Sequence, residues 1–248
     1  MSLNEQSSRL SLLARRRFMA GTAAAVAALA LASCSGEEQA STATPPGVDP
    51  VTTATTTAAA ELPEAEGTVD VAKLMEPGAL PEMSIGKADA PVTIVEYMSM
   101  TCPHCASFHV NTFDAIKEKY VDSGKVRFVI REFPFDPRAA AAFMLARCAP
   151  EGQYFPMVSM LMKQQRQWAA AENGRDALLQ MSKLAGFTQQ SFEACLTNQK
   201  LLDDVNTVMQ RGAKDFGVQS TPTFFINGTR YSGDMSVDTM SALIDTLL

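Results

Sequence analysis

Glu96-Tyr97-Met98-Ser99-Met100-Thr101-Cys102-Pro103-His104-Cys105 decides the fold of this chain, because it hands a strand over to a helix with two cysteines at the joint. The run Val92-Thr93-Ile94-Val95-Glu96-Tyr97-Met98 is β-branched and apolar, with one acid near its end, and predicts a strand. Beyond Cys105, Phe108, Thr112, Ala115, Ile116 and Lys119-Tyr120 fall at helical spacing. No Gly or Pro interrupts before Gly124, so one helix is predicted across that stretch. Cys102 then lies at or just before the first helical position, where free backbone N–H groups and the helix dipole favour negative charge. Pro103 suits the first turn because no N–H is needed there. Cys105 follows three residues on, so both sulfurs lie on one side of that turn. A thiolate at Cys102 is thereby stabilised and its pKa depressed. His104 can add positive charge or a hydrogen bond to the same sulfur. Stabilising the thiolate stabilises the reduced pair, which makes the disulfide oxidising and Cys102 a good leaving group.

The segment resembles the active site of the DsbA-type thiol:disulfide oxidoreductases, thioredoxin-fold proteins that put disulfides into exported bacterial proteins. The resemblance rests on Cys102-Pro103-His104-Cys105, on Glu96 six residues earlier, and on Ile85-Gly86-Lys87-Ala88-Asp89-Ala90-Pro91 leading into the first core strand. It covers roughly Ile85 to Leu248. It implies an α/β, thioredoxin-like fold with an inserted all-helical subdomain, and an oxidising couple. It makes Glu96 a buried acid that relays protons to Cys105. It makes Thr221-Pro222 the cis-proline loop facing the dithiol, with Thr221 touching the sulfurs. Read without the resemblance, Pro222 is equally a trans proline opening a strand, and Glu96 a surface acid at a strand edge.

The chain has 248 residues, is nearly half apolar and carries a formal charge of −6. Residues 1–33 are net +3, so the remainder carries −9, which argues against nucleic acid as a partner. Arg15-Arg16-Arg17 precedes an apolar run from Phe18 to Leu31, about the length of a signal-peptide core and short for a membrane span. Arg15-Arg16-Arg17-Phe18-Met19 resembles a twin-arginine signal, although basic leaders also occur in general export signals. Leu31-Ala32-Ser33-Cys34 resembles a lipobox, which would make Cys34 the lipidated first residue of the mature protein; the alternative is an ordinary cleaved signal with an incidental cysteine. Residues 34–68 are rich in Thr, Ala, Pro and Glu and read as a disordered tether. The expected organisation is thus a signal at 1–33, the tether at 34–68, a first thioredoxin-like part at 69–137, a helical insertion at 138–216 and a second part at 217–248.

Pro77-Gly78 and Pro81 mark turns in the lead-in, which carries no predicted element of its own. Val126 to Phe133 alternates and is β-rich, so a βαβ unit with a parallel pair follows. The insertion reads as helices at 138–149, 154–168, 175–185, 189–196 and 200–216, separated by Pro150 with Gly152, Asn173-Gly174, Gly186 and Asn198. Val218 to Ile226, the Asn227-Gly228 turn and Arg230-Tyr231-Ser232-Gly233 form a hairpin. Ser236 caps a closing helix to Leu248, with Val237, Met240, Leu243, Ile244 and Leu247 on one face.

A lone C-x-x-C is also half of a zinc site. Structural zinc takes four protein ligands, and the chain's two histidines are His104 and His109. Cys105 and His109 share a helix face, which leaves a three-ligand site open, but no metal and no cofactor are expected. Cys148 and Cys195 are expected to form a structural disulfide in an exported protein, two buried thiols being the alternative. Met157, Met160 and Met162 read as core, Trp168 as a packing anchor, and Met98 and Met100 as a surface that receives unfolded chain.

The resemblance implies as partners exported proteins with free cysteines and a quinone-linked, DsbB-like reoxidising membrane protein, with the membrane reached through the lipid anchor. The expected location is the periplasm or cell envelope, and the expected state a monomer. Two rival classes remain. One is a reductase or isomerase kept reduced by a membrane donor, although residues 35–84 look too polar for an isomerase's dimerisation domain. The other is a chaperone or metal-binding module that kept the fold without the chemistry, against which the intact dithiol argues.

Overall fold

The computed structural model describes residues 62–248. The signal, the lipobox at Cys34 and most of the tether lie outside the described residues. In chain order the elements are α1 (Val71–Leu74), β1 (Met83–Ile85), β2 (Val92–Met98), α2 (Pro103–Asn111), α3 (Phe113–Ile116) and β3 (Val126–Glu132). The helical run follows as α4 (Pro137–Cys148), α5 (Tyr154–Lys163), α6 (Gln165–Ala169), α7 (Gly174–Leu184), α8 (Gln189–Leu196) and α9 (Gln199–Phe216). The chain closes with β4 (Thr223–Ile226), β5 (Thr229–Ser232) and α10 (Val237–Asp245). This is the α/β, thioredoxin-like arrangement with an all-helical insertion.

The sheet runs β1-β3-β2-β4-β5. β2 and β3 are parallel, and the other neighbours are antiparallel. β2 is therefore central, between Phe128 and Ile226 at Ile94 and between Ile130 and Phe224 at Glu96. Alternate residues of β2 face two separate cores. Ile94 and Met98 join the larger one with Phe108, Phe128, Phe224 and the helical insertion. Val95 and Tyr97 join the smaller one with Leu74, Phe216, Val218 and Phe225. A strand covered on both faces has no outward side, which explains why Met98 is buried. Met100 is buried too, so neither methionine forms the exposed receiving surface expected of them. Met157 and Met162 are core, and Trp168 is a buried anchor whose Nε1–H donates to Leu161 O at 2.8 Å.

The structure departs from the sequence reading at several boundaries, mostly where a partner lies far along the chain. The helix after Cys105 breaks at Thr112, where φ is −123° and the buried hydroxyl donates to Met235 O at 2.7 Å. It continues as α3 and one wider turn, Lys117–Val121. The expected helix 154–168 divides at Gln164, which frees the Gln165 side chain to turn inward. The lead-in contains a real strand: β1 pairs Met83 with Ile130 and Ile85 with Phe128. Its three residues, set between Pro81 and Gly86, are too short to show a period. The closing helix ends at Asp245, leaving Leu247 exposed. The end of the expected tether is also ordered: Glu66 N–H donates to Arg230 O, Arg230 N–H to Gly67 O and Val69 N–H to Gly228 O, extending the sheet beyond β5. Those backbone bonds need no apolar side chains, so composition does not reveal them.

Candidate active site: the dithiol at the start of the second helix

β2 ends at Met98, the chain turns through Ser99–Thr101, and Cys102 occupies the N-cap of α2 with Pro103 in the first turn. The insertion clamps this turn. Gln165 Nε2 donates to both Met100 O and Cys102 O, each at 2.9 Å. Thr101 Oγ1 donates to Asp136 Oδ2, and Asp136 also caps α4 by accepting from Ala139 N–H at 2.9 Å. Two carbonyls and one hydroxyl next to the dithiol are thus held by residues outside the βαβ unit.

Both dithiol cysteines are free, Cys102 half-buried and Cys105 buried. The Cys102 pKa falls to about 5. The largest cause is the hydrogen bond its sulfur receives from the Cys105 thiol. Burial opposes this, and the Thr221 hydroxyl and the Cys105 and His104 backbone N–H groups add to it. When protonated, Cys102 Sγ donates instead to Thr221 O, at 3.2 Å. Thr221 therefore serves both states, its carbonyl the thiol and its otherwise unpartnered hydroxyl the thiolate. Cys105 moves the opposite way. Burial pushes its pKa well up, the hydrogen bond to Cys102 adds to that, and the negative charges of Glu96 and Cys102 add again.

The remaining expected residues fall as follows. The Thr221–Pro222 bond is cis, and Thr221 lies against Cys102. Pro103 and His104 are exposed. No imidazole hydrogen bond from His104 to either sulfur is present among the described residues; its backbone N–H faces Cys102 instead. Glu96 is fully buried in the middle of the sheet and is not a surface acid. Its Oε2 pairs with His109 Nε2 at 2.9 Å, both side chains being buried. The sequence alone does not reveal His109 as the partner of Glu96. Its position four residues after Cys105 is the available signal, and that spacing fits a metal ligand as readily as a partner for an acid on the neighbouring strand. Cys148 and Cys195 are joined, with S–S at 2.11 Å and Cα–Cα at 6.1 Å, linking α4 to α8. No group of three or more His, Cys, Asp or Glu side chains among the described residues is placed to hold a metal ion.

Concavities open near the dithiol and beneath the lead-in. A groove of about 690 Å³ adjoins the dithiol and is lined by Thr101, Pro103, Asp136, Gln165 and Arg166 among others. A cavity of about 560 Å³ lies under residues 75–82 and involves no dithiol residue. Its arginines fasten that strap: Arg211 donates to Lys73 O and Glu76 O, Arg147 to Pro81 O, and Arg127 and Arg131 to Glu82.

A family model described as Thioredoxin matches residues 79–246. A Rickettsia conorii protein whose name assigns it as a protein-disulfide oxidoreductase is 34% identical over 168 residues, covering 67% of this chain and 60% of that protein. The chain thus spans about 60% of the length of that curated relative. Among solved structures, α-DsbA1 of Wolbachia pipientis is 31% identical with a TM-score of 0.65, covering 71% of this chain and 94% of that one. BdbD of Bacillus subtilis, at 20% identity and a TM-score of 0.58, shares the fold; the match covers 67% of this chain and 92% of that one.

Proposed function

Since this chain belongs to the thioredoxin family, and within it to the DsbA-type oxidoreductases, we propose that it introduces disulfides into exported proteins by exchange through Cys102 and Cys105. What supports this reading is the split between the two sulfurs: Cys102 is held at a pKa of about 5 while Cys105 is pushed well up. A pair whose outer sulfur is so stabilised as a thiolate favours its reduced form, and its disulfide is a correspondingly strong oxidant.

In the oxidising direction a substrate thiolate attacks Cys102 Sγ of the Cys102–Cys105 disulfide. The bond to Cys105 breaks, and Cys105 takes a proton, as its raised pKa requires. A second substrate thiolate then attacks the substrate's own sulfur in the mixed disulfide and expels Cys102 as a thiolate. The substrate loses two electrons and the dithiol gains them. Thr221 stabilises that leaving sulfur, and the backbone around Pro222 offers an edge to an extended substrate. Glu96 is the proton-carrying acid below Cys105. Pro103 opens the helix, and His104 supplies its N–H.

The partners in this reading are exported proteins with free cysteines and a quinone-linked, DsbB-like reoxidant. The location is the periplasm or cell envelope, with lipidation at Cys34 as the anchor. No helix among the described residues is long and apolar enough to cross a membrane.

The test is the equilibrium of the dithiol with glutathione, measured together with the Cys102 thiolate titration. A strongly oxidising couple with a thiolate midpoint several units below about 8.5, the free-cysteine value, is expected. A reducing couple would make reductase or isomerase the reading instead.

A further inference from the structure

α2 turns Cys105 and His109, four residues apart, onto one face against Glu96 of β2. His109 is 2% exposed and Glu96 is 0% exposed. The Phe108 and Phe113 rings pack on the imidazole, with centroids 5.4 and 4.9 Å away, so the ring is held in place. Its Nε2 meets Glu96 Oε2 at 2.9 Å. The other carboxylate oxygen, Oε1, is buried and has no hydrogen-bond partner. A carboxylate oxygen left unpaired in the interior is costly, so an orphan whose charge is felt by a reacting group calls for a reason. Cys105 is that group, and the Glu96 charge already acts on it.

We propose that His109 is a positioning residue: by holding Glu96 through Oε2, it keeps Oε1 free to exchange a proton with Cys105. This rests on the dithiol being an exchange centre but not on the direction in which it runs. When Cys105 closes on a mixed disulfide at Cys102, the Cys105–Cys102 bond forms and the bond from Cys102 to the partner sulfur breaks. The partner leaves as a thiolate, and the Cys105 proton passes to Glu96 Oε1. In the reverse direction Cys105 leaves Cys102 and takes that proton back. Oε2 accepts from Nε2–H whether or not Oε1 is protonated, so the carboxyl keeps its orientation throughout.

The other titratable groups around the pair are few. Cys102 and Cys105 stand on the same helix. From α5 comes Tyr154, kept protonated by burial, with the charges of Glu132 and Glu96 adding to the effect. Behind it, Glu132 at the end of β3 is held by Arg147 of α4 and by the Tyr154 hydroxyl.

The experiment follows glutathione release from a mixed disulfide at Cys102 of the full chain, from about pH 4 to 8, a range suited to a carboxylate base. Glu96→Gln is expected to slow release by about a hundredfold, the scale of one general base. His109→Gln replaces the ring that Phe108 and Phe113 fix in place with a flexible amide that holds Oε2 less firmly, and should slow release about tenfold and move the pH–rate profile to higher pH. Because His109 acts through Glu96, the double variant should be no slower than Glu96→Gln alone. A His109→Gln profile that superimposes on the wild type would overturn the proposal, as would a double variant slowed by the product of the single effects. If His109→Gln does not fold, His109→Asn is read by the same comparison. A reductase would give the same coupling. A wild-type chain that never releases glutathione overturns the exchange reading and this proposal with it.

Discussion

Cys102–Cys105 and Cys148–Cys195 are two cysteine pairs in one chain, in opposite surroundings. Around Cys102 the donors converge: a thiol, a hydroxyl and two backbone N–H groups. The Cys195 sulfur is buried and sits 3.1 Å from the Met144 carbonyl oxygen, an acceptor. A thiolate released at the first site is stabilised, whereas one released at the second would face a partial negative charge. The first pair also spans one turn of helix, and the second closes a loop of 47 residues. Under the proposed function, what makes one pair exchangeable and the other a fastener is therefore the lining of the leaving sulfur, not the presence of two cysteines.

The contrast breaks most sharply at Cys102. Cys102→Ser should lower exchange with a reduced test peptide by roughly a thousandfold or more, the scale of losing a nucleophile. The Cys148→Ala, Cys195→Ala double variant should still exchange, and a comparable loss there would dissolve the distinction. Its expected deficit is in folding, about 2–4 kcal/mol in urea denaturation, because the unfolded chain regains the entropy of a long loop. Gln165→Leu probes where the two regions meet. It strips the partner from Met100 O and Cys102 O, for about 1–3 kcal/mol in the same denaturation assay. Thr221→Val removes one donor from the thiolate and should raise the Cys102 midpoint by about one unit, read from thiolate ultraviolet absorbance.

The subtlest effect is on pH. The folded pKa of Cys102, about 5, lies below the unfolded value of about 8.5. Its contribution to the reduced protein is therefore fully present above the unfolded value and is lost as pH falls to about 5. Denaturation midpoints of reduced and oxidised protein should accordingly converge as pH drops through that window. A gap that stays constant would mean that Cys102 is no better stabilised than an ordinary thiol.

Much of this was legible in sequence because its causes are local. The β-branched run before Cys102, Pro103 after it, the breakers between helices and Asn227-Gly228 each act within a few residues. The insertion helices lie within a residue or two of their expected ends, apart from the division at Gln164. What escaped depends on partners far along the chain. Thr112 ends its helix by reaching Met235, β1 exists only because Ile130 lies beside it, and His109 matters only once α2 is laid across Glu96. Met98 and Met100 cannot be placed from the sequence, because a methionine beside a reactive site looks the same there whether or not the helical insertion covers it.

The pairing of Glu66–Val69 along β5 has a consequence for self-protection. A protein proposed to handle unfolded chains is surrounded by strands seeking an open ladder, and a bare sheet edge would template their aggregation. Here one border is occupied by the chain's own lead-in, with the Arg230 guanidinium donating to Glu66 O and the Ser232 hydroxyl to Glu66 Oε2. The other ends in a strand of only three residues. Visiting backbone is left little to polymerise on, and under the proposed function the loop at Thr221 is the place where an extended chain docks and departs.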